Sequence, residues 1–210
     1  MTATRELVLH TADGCVLEAE FRAADAGGAG LVAAVLCHPH PLYGGTMRSI
    51  VVSALFDAMP ARGVACLRFN FRGVERSTGE HADGREEPLD VLAAVDETAS
   101  LVPDAKVVVA GWSFGGDVGL SVTDARIAAW VAIAPPLRFR SGDFGAVARD
   151  ARPKHLVLAQ HDEIRSADEV AREVAAWNHT TVDVVPGASH FFVGRTDRVV
   201  DAIAKFVATL

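Results

Sequence analysis

Residues 106–116 read Lys-Val-Val-Val-Ala-Gly-Trp-Ser-Phe-Gly-Gly. An apolar, β-branched run stops at a glycine, a serine follows two residues later, and helical spacing begins at once. No other stretch constrains the fold so tightly. A serine at such a strand-to-helix turn is held in a strained backbone conformation with its hydroxyl exposed. Glycine at 111 and 115 gives clearance, because a side chain at either position would crowd neighbouring backbone. The segment predicts a strand at 106–111, a helix at 114–122 and a reactive hydroxyl on Ser113. The helix N-terminus adds amides and a dipole that favour developing negative charge.

The rest of the chain supplies a setting for that turn. Residues 5–11 and 15–22 read as a hairpin around Asp13-Gly14. Residues 31–37 form an almost wholly apolar run, as expected for a strand covered on both faces. Helical spacing at 47–59, with Ile50, Val51, Ala54 and Leu55 as its buried stripe, leads to a strand at 64–69. Residues 72–88 form a polar surface loop. A helix at 89–101 follows, with Leu89, Leu92, Val95 and Ala99 on its apolar side. Further strands are predicted at 127–134, 155–159 and 181–185, and helices at 167–177 and 196–207. Eight strands alternating with helices imply an α/β fold, with a mostly parallel sheet and helices on both faces. The 210 residues, half of them hydrophobic, are ample for one core and short for two, so residues 1–210 are read as a single domain.

Composition narrows the partners. A net charge of −7 and scattered basic residues argue against nucleic acid. No apolar run reaches the roughly 18 residues of a membrane helix, and residues 1–6 lack an apolar signal core. Cys15, Cys37 and Cys66 fit no disulfide framework or zinc motif, and Cys37 and Cys66 sit in apolar runs as expected of buried thiols. These features predict a cytoplasmic protein with no membrane partner. A symmetric homodimer is the expected alternative to a monomer.

A serine hydroxyl needs a base beside it. His190 follows the last strand and precedes the last helix, at the end of a parallel sheet where function collects. The orienting acid should follow an earlier strand. Asp162 is preferred, and Glu163, one residue along the loop, is its rival. An oxyanion requires amide donors. Phe114, directly after the nucleophile, supplies one. The second should come from residues 38–46, where Pro39 and Pro41 have no N–H; His40 is the first choice and Tyr43 the second. His38 and His40 also invite a metal reading, but no acidic or cysteine ligand stands near them at metal-site spacing, so no metal is expected there.

These segments together resemble the short bacterial α/β-hydrolases near the dienelactone hydrolases and prolyl-peptidase-like hydrolases. The likeness lies in His38-Pro39-His40-Pro41, Gly44-Gly45-Thr46, Asn70-Phe71-Arg72-Gly73, Gly111 to Gly116, Asp162-Glu163 and Ser189-His190-Phe191-Phe192. The resemblance implies the α/β-hydrolase fold, with Ser113, Asp162 and His190 matching the family triad in its usual chain order. Glu75 stands where glycine is common, and Ala159-Gln160 where Gly-Asp often precedes the acid. Serine at 113, where dienelactone hydrolases carry cysteine, moves the reading away from that substrate.

The expected chemistry is acyl transfer to water without a cofactor, on small-molecule esters. An amidase or short-peptide hydrolase would use the same groups. A non-enzymatic binding protein on a hydrolase fold is the third reading, and it would need none of them. Residues 135–153 are too few for a large cap, so the pocket should be open, lined by Leu42, Tyr43, Trp112, Leu137, Phe139 and Phe191.

Overall fold

The computed structural model describes residues 2–25, 32–138 and 144–210. Its strands are β1 (Arg5–His10), β2 (Val16–Arg22), β3 (Val32–Cys37), β4 (Val64–Phe69), β5 (Lys106–Trp112), β6 (Ile127–Ile133), β7 (Lys154–His161) and β8 (Thr180–Ser189). They form one sheet in the order β1-β2-β4-β3-β5-β6-β7-β8. β2 runs antiparallel to both β1 and β4, and the other neighbouring pairs are parallel. The helices are α1 (Ile50–Ala58), α2 (Glu87–Leu101), α3 (Phe114–Leu120), α4 (Gly145–Arg149), α5 (Ala167–Val174) and α6 (Thr196–Val207). This is the predicted α/β-hydrolase architecture.

The near-continuous apolar strands have a simple cause. Side chains alternate across a strand, and here both faces are covered. From β5, Val107 and Val109 join one core with Val91 and Val95 of α2, Val118 of α3 and Val170 of α5. Val108, Ala110 and Trp112 join the opposite core with Val51, Leu55 and Phe56 of α1 and Val199 and Ile203 of α6. Cys37 and Cys66 are free, buried thiols, and burial pushes the Cys66 thiol up to about 12.

Several local expectations are corrected. α1 starts at Ile50, and its buried side is Val51, Val52, Leu55 and Phe56; Ile50 itself is exposed. α2 is rotated by one residue from the predicted stripe, burying Val91, Ala94, Val95 and Thr98 together with Glu87 and Asp90. The apolar pattern misled here because two buried carboxylates share the core face. Asp90 accepts from the Arg72 backbone N–H (2.9 Å) and its guanidinium (2.7 Å), and Glu87 accepts from the amides of Ala82 and Gly84. β8 continues through Pro186 and Gly187 to Ser189, across residues that read as loop. Among its described residues, the connection at 134–153 contains the short α4 and no cap domain.

Because β3, β5, β7 and β8 run parallel, their C-terminal ends share one edge of the sheet. The loop after β3, Ser113, Asp162 and His190 all lie there, at the position where parallel-sheet proteins bind ligands.

Candidate active site

Ser113 occupies the sharp turn between β5 and α3 with φ 54° and ψ −119°, a conformation that L-residues avoid. Packing enforces it. Its N–H donates to Ile133 O at 2.8 Å, and its own carbonyl accepts from Gly116 and Asp117 to start α3. A Cβ on Gly111 would lie 2.1 Å from Gly115 O, and one on Gly115 would lie 2.5 Å from the carbonyl oxygens of Cys37 and His38. Both glycines are thus required by backbone that cannot move aside. The second contact also brings the loop after β3 directly against the serine turn.

His190, the first residue beyond β8, places Nε2 3.0 Å from Ser113 Oγ. Its Nδ1 lies 2.9 Å and 3.0 Å from the two carboxylate oxygens of Asp162. A carboxylate accepts only, so Nδ1 carries the proton and Nε2 presents its lone pair to the serine. The side chains of His190 and Asp162 are about 95% buried. Asp162 is fixed in turn by the N–H groups of Ile164 (2.9 Å) and Arg165 (3.2 Å).

Glu163 takes a different place. Its Oε2 accepts the backbone N–H of His190 at 3.1 Å, while Trp112 Nε1 donates to His190 O at 3.2 Å. The carboxylate of Glu163 and the indole of Trp112 hold the histidine backbone from two sides, a positioning role that spacing alone did not reveal for either residue.

The loop after β3 is built on a buried polar frame. His38 is fully buried; its Nδ1 lies 2.6 Å from Pro39 O and its Nε2 accepts Phe71 N–H at 3.0 Å. Desolvation pushes its imidazole down to about 4. Asn70 Oδ1 accepts Met47 N–H at 2.8 Å. A Cβ on Gly45 would lie 2.1 Å from Pro39 O, which explains the glycine there. The Asn70-Phe71-Arg72-Gly73 segment therefore shapes the loop. Within it, Tyr43 N–H donates to His40 O at 3.1 Å. That engagement corrects the placement of Tyr43 as an amide donor to an oxyanion, and of the two candidates His40 is retained.

A cavity of about 510 Å³ opens at Ser113, with Tyr43, Trp112, His190 and Phe191 among its lining residues. The expected lining is otherwise corrected. Leu42 is 72% exposed and points away, because the 3-10 turn at Pro41–Tyr43 turns it to solvent. Leu137 is buried in the core of the α2–α3 side. Phe139 lies outside the described residues. Ile50, Ile164 and Arg138 line the cavity instead. Asp117, wholly buried in the first turn of α3, accepts the N–H groups of Leu137 (2.8 Å) and Arg138 (2.7 Å) and so pins the pocket wall. An acid directly after a Gly-Gly pair, inside a helix with no exposed face, is the signal that could have found it.

No acidic ligand stands at metal-site spacing from the loop histidines in the sequence, but the fold brings one to His40 in space. His40, His81 and Asp83 bring one potential ligand atom each to within 4.8 Å of one another. The partners lie some forty residues downstream of His40, beyond the reach of a spacing rule.

No protein-family model matches the chain. Among solved structures, an α/β serine hydrolase homologue from Coxiella burnetii is 30% identical and superposes with a TM-score of 0.83, covering 98% of this chain and 97% of that one. The chain belongs to the α/β-hydrolase superfamily. A second such hydrolase, described as lacking a lid, from Xanthomonas campestris is 28% identical with a TM-score of 0.88 over 100% of this chain and 95% of that one. An uncharacterized protein of Rickettsia prowazekii is 33% identical over 187 residues, 84% of this chain and 79% of its own length. Among the described residues, no helix of this α/β-hydrolase is long and apolar enough to cross a membrane.

Proposed function

We propose that this α/β-hydrolase is a serine-dependent carboxylesterase acting on small esters. The observation that carries the reading is the continuous chain from Asp162 through His190 to Ser113, with contacts of 2.9 Å and 3.0 Å, opening into a largely apolar cavity. Ser113 Oγ attacks the ester carbonyl while His190 Nε2 takes its proton. The carbonyl oxygen gains the negative charge, and the amides of Phe114 and His40 are assigned to it. Collapse breaks the bond to the alcohol, which leaves with the proton from His190. Water, deprotonated by His190, then attacks the acyl-serine, and the acid leaves as Ser113 recovers its proton. Asp162 stabilises the imidazolium that forms in each half.

The lining favours esters over peptides. Ile50, Trp112, Ile164 and Phe191 offer apolar contact around the serine, and such a wall suits a short acyl or alkyl group. Labelling with a fluorophosphonate, read by intact mass, tests the reading. One adduct per chain is expected, absent in Ser113→Ala. No adduct on folded protein would overturn the assignment and favour a binding role. A matched ester and amide pair then separates esterase from amidase.

A further inference from the structure

We propose that His40, His81 and Asp83 form a site for a zinc-type divalent ion beside the oxyanion loop, and that its occupation lowers hydrolysis at Ser113. The site itself stands independently of the esterase reading; its effect on hydrolysis rests on that reading.

The loop at 81–84 is wrapped around Glu87, which accepts from the amides of Ala82 (2.7 Å) and Gly84 (2.9 Å). That wrapping turns His81 and Asp83 toward the loop after β3. Asp83 Oδ1 lies 3.9 Å from His40 Nε2 and 3.8 Å from His81 Nε2. Ligands at about 2.0–2.1 Å around a tetrahedral ion sit about 3.3 Å apart. Asp83, 62% exposed, need move only about half an ångström toward each ring, whereas the two imidazole nitrogens, up to 4.8 Å apart, must close by as much as about 1.5 Å as the loops draw together on the ion.

His81 points most directly to a ligand. Its side chain is 11% exposed, yet neither ring nitrogen makes a hydrogen bond to a described residue. A largely buried imidazole whose Nε2 finds no hydrogen-bond partner among the described residues asks for a reason. Its Nδ1 lies 2.9 Å from Glu87 Oε1, out of line for a hydrogen bond. A small ring rotation turns that contact into the carboxylate–histidine arrangement that orients metal ligands and leaves Nε2 for the ion. Asp83 and Glu87 also supply the two negative charges that balance a divalent ion. Two imidazoles and a carboxylate suit zinc and its neighbours better than magnesium or calcium.

The coupling follows from tautomers. His40 Nδ1 accepts Leu42 N–H at 3.2 Å, capping the turn at Pro41–Tyr43. The neutral ring therefore carries its proton on Nε2. Coordination at Nε2 displaces that proton, and Nδ1 takes one up from solvent, so the ring stays neutral and gives no net release. Nδ1 then becomes a donor and can no longer accept from Leu42. The turn loses its side-chain cap beside His40, whose amide is assigned to the oxyanion and whose carbonyl still accepts the N–H groups of Tyr43 and Gly45. The His40 ring also packs against Phe114 at 5.0 Å, so a shift reaches both assigned donors.

The test uses untagged, chelator-treated protein, with Co²⁺ as the spectroscopic probe and zinc titrated by calorimetry. The wild type should bind one Co²⁺ per chain with the intense visible absorption of a tetrahedral site. His81→Gln and Asp83→Asn should each weaken binding by about tenfold or more. Asparagine tolerates the positive φ of 56° at position 83, so the second variant retains the fold. Zinc should slow fluorophosphonate labelling of the wild type several-fold and leave His81→Gln unchanged. Absent stoichiometric binding, or an affinity indifferent to both substitutions, overturns the site. Binding that leaves the labelling rate unaltered overturns the coupling. If Ser113 never labels, the hydrolase reading fails while the cobalt titration still decides the site.

Discussion

Asp162→Asn and Glu163→Gln are adjacent, near-isosteric changes with opposite expected consequences. In the proposed mechanism His190 becomes an imidazolium in the transition state, and the Asp162 carboxylate lies 2.9 Å from its Nδ1. At that distance and an effective dielectric of about 20, the attraction is about 6 kcal/mol. At about 1.4 kcal/mol per decade this corresponds to about four decades in rate. The asparagine amide also favours the wrong tautomer, with the proton on Nε2 and no lone pair for the serine. The loss expected for Asp162→Asn is therefore about 10⁴-fold in kcat, similar to what the same change does in serine proteases. Glu163 meets His190 only through its backbone N–H, and glutamine keeps an accepting oxygen, so Glu163→Gln should cost less than about tenfold. Steady-state hydrolysis of p-nitrophenyl acetate, with thermal melts confirming the fold, separates the two. An Asp162→Asn enzyme retaining a tenth of the rate, or equal losses from both changes, would refute the assigned roles.

Other outcomes follow from the same structure. Gly115→Ala places a Cβ 2.5 Å from two backbone oxygens and should destabilise by about 1–3 kcal/mol, read by urea unfolding; an unchanged midpoint would mean the turn is not so tightly packed. His38 is neutral in the fold, with its value pushed down to about 4 from the ordinary 6.5. The unfolded chain takes up that proton first, so stability is full above pH 6.5 and falls toward pH 4, by about 3 kcal/mol at most. Unfolding titrations across that range should show the wild-type advantage over His38→Gln shrinking as pH falls, and a constant gap would contradict it. Phe191, half-exposed on the pocket wall, should act on substrate binding: Phe191→Ala is expected to raise KM for a butyrate ester about three- to tenfold with kcat held. A fall in kcat alone would place Phe191 in the chemistry instead.

Legibility in the sequence tracked the range of the physics involved. The order of strands and helices was written in local hydrophobic period, and Gly111 to Gly116 marked the serine turn, because the backbone there must satisfy neighbours only a few residues away. His190 and Asp162 were readable because parallel strands deliver their C-terminal ends to one edge, so that a histidine and an acid after the right strands are brought together whatever lies between. Where polar residues took core positions the period failed: Asp90 and Glu87 rotated α2 by one residue from its apolar stripe, since their partners, Arg72 and the loop at 82–84, are invisible to a pattern that counts only apolar side chains.

The division of labour between neighbours belonged to the tertiary structure. Asp162 and Glu163 differ by one position and one methylene, and only the path of β8 decides that the first meets the His190 ring and the second its backbone. Tyr43 passed every local test for an oxyanion donor until the 3-10 turn committed its N–H to His40. His81 and Asp83 lie in a polar loop far along the chain from His40, and the wrapping of that loop around Glu87 alone brings them together. The sequence by itself determined the elements, the sheet edge and the serine turn, because each follows from short-range sterics and burial. Which nitrogen, oxygen or amide faces which was decided by contacts across long separations, because hydrogen bonds depend on direction and tenths of an ångström, while the hydrophobic pattern depends only on which side is dry.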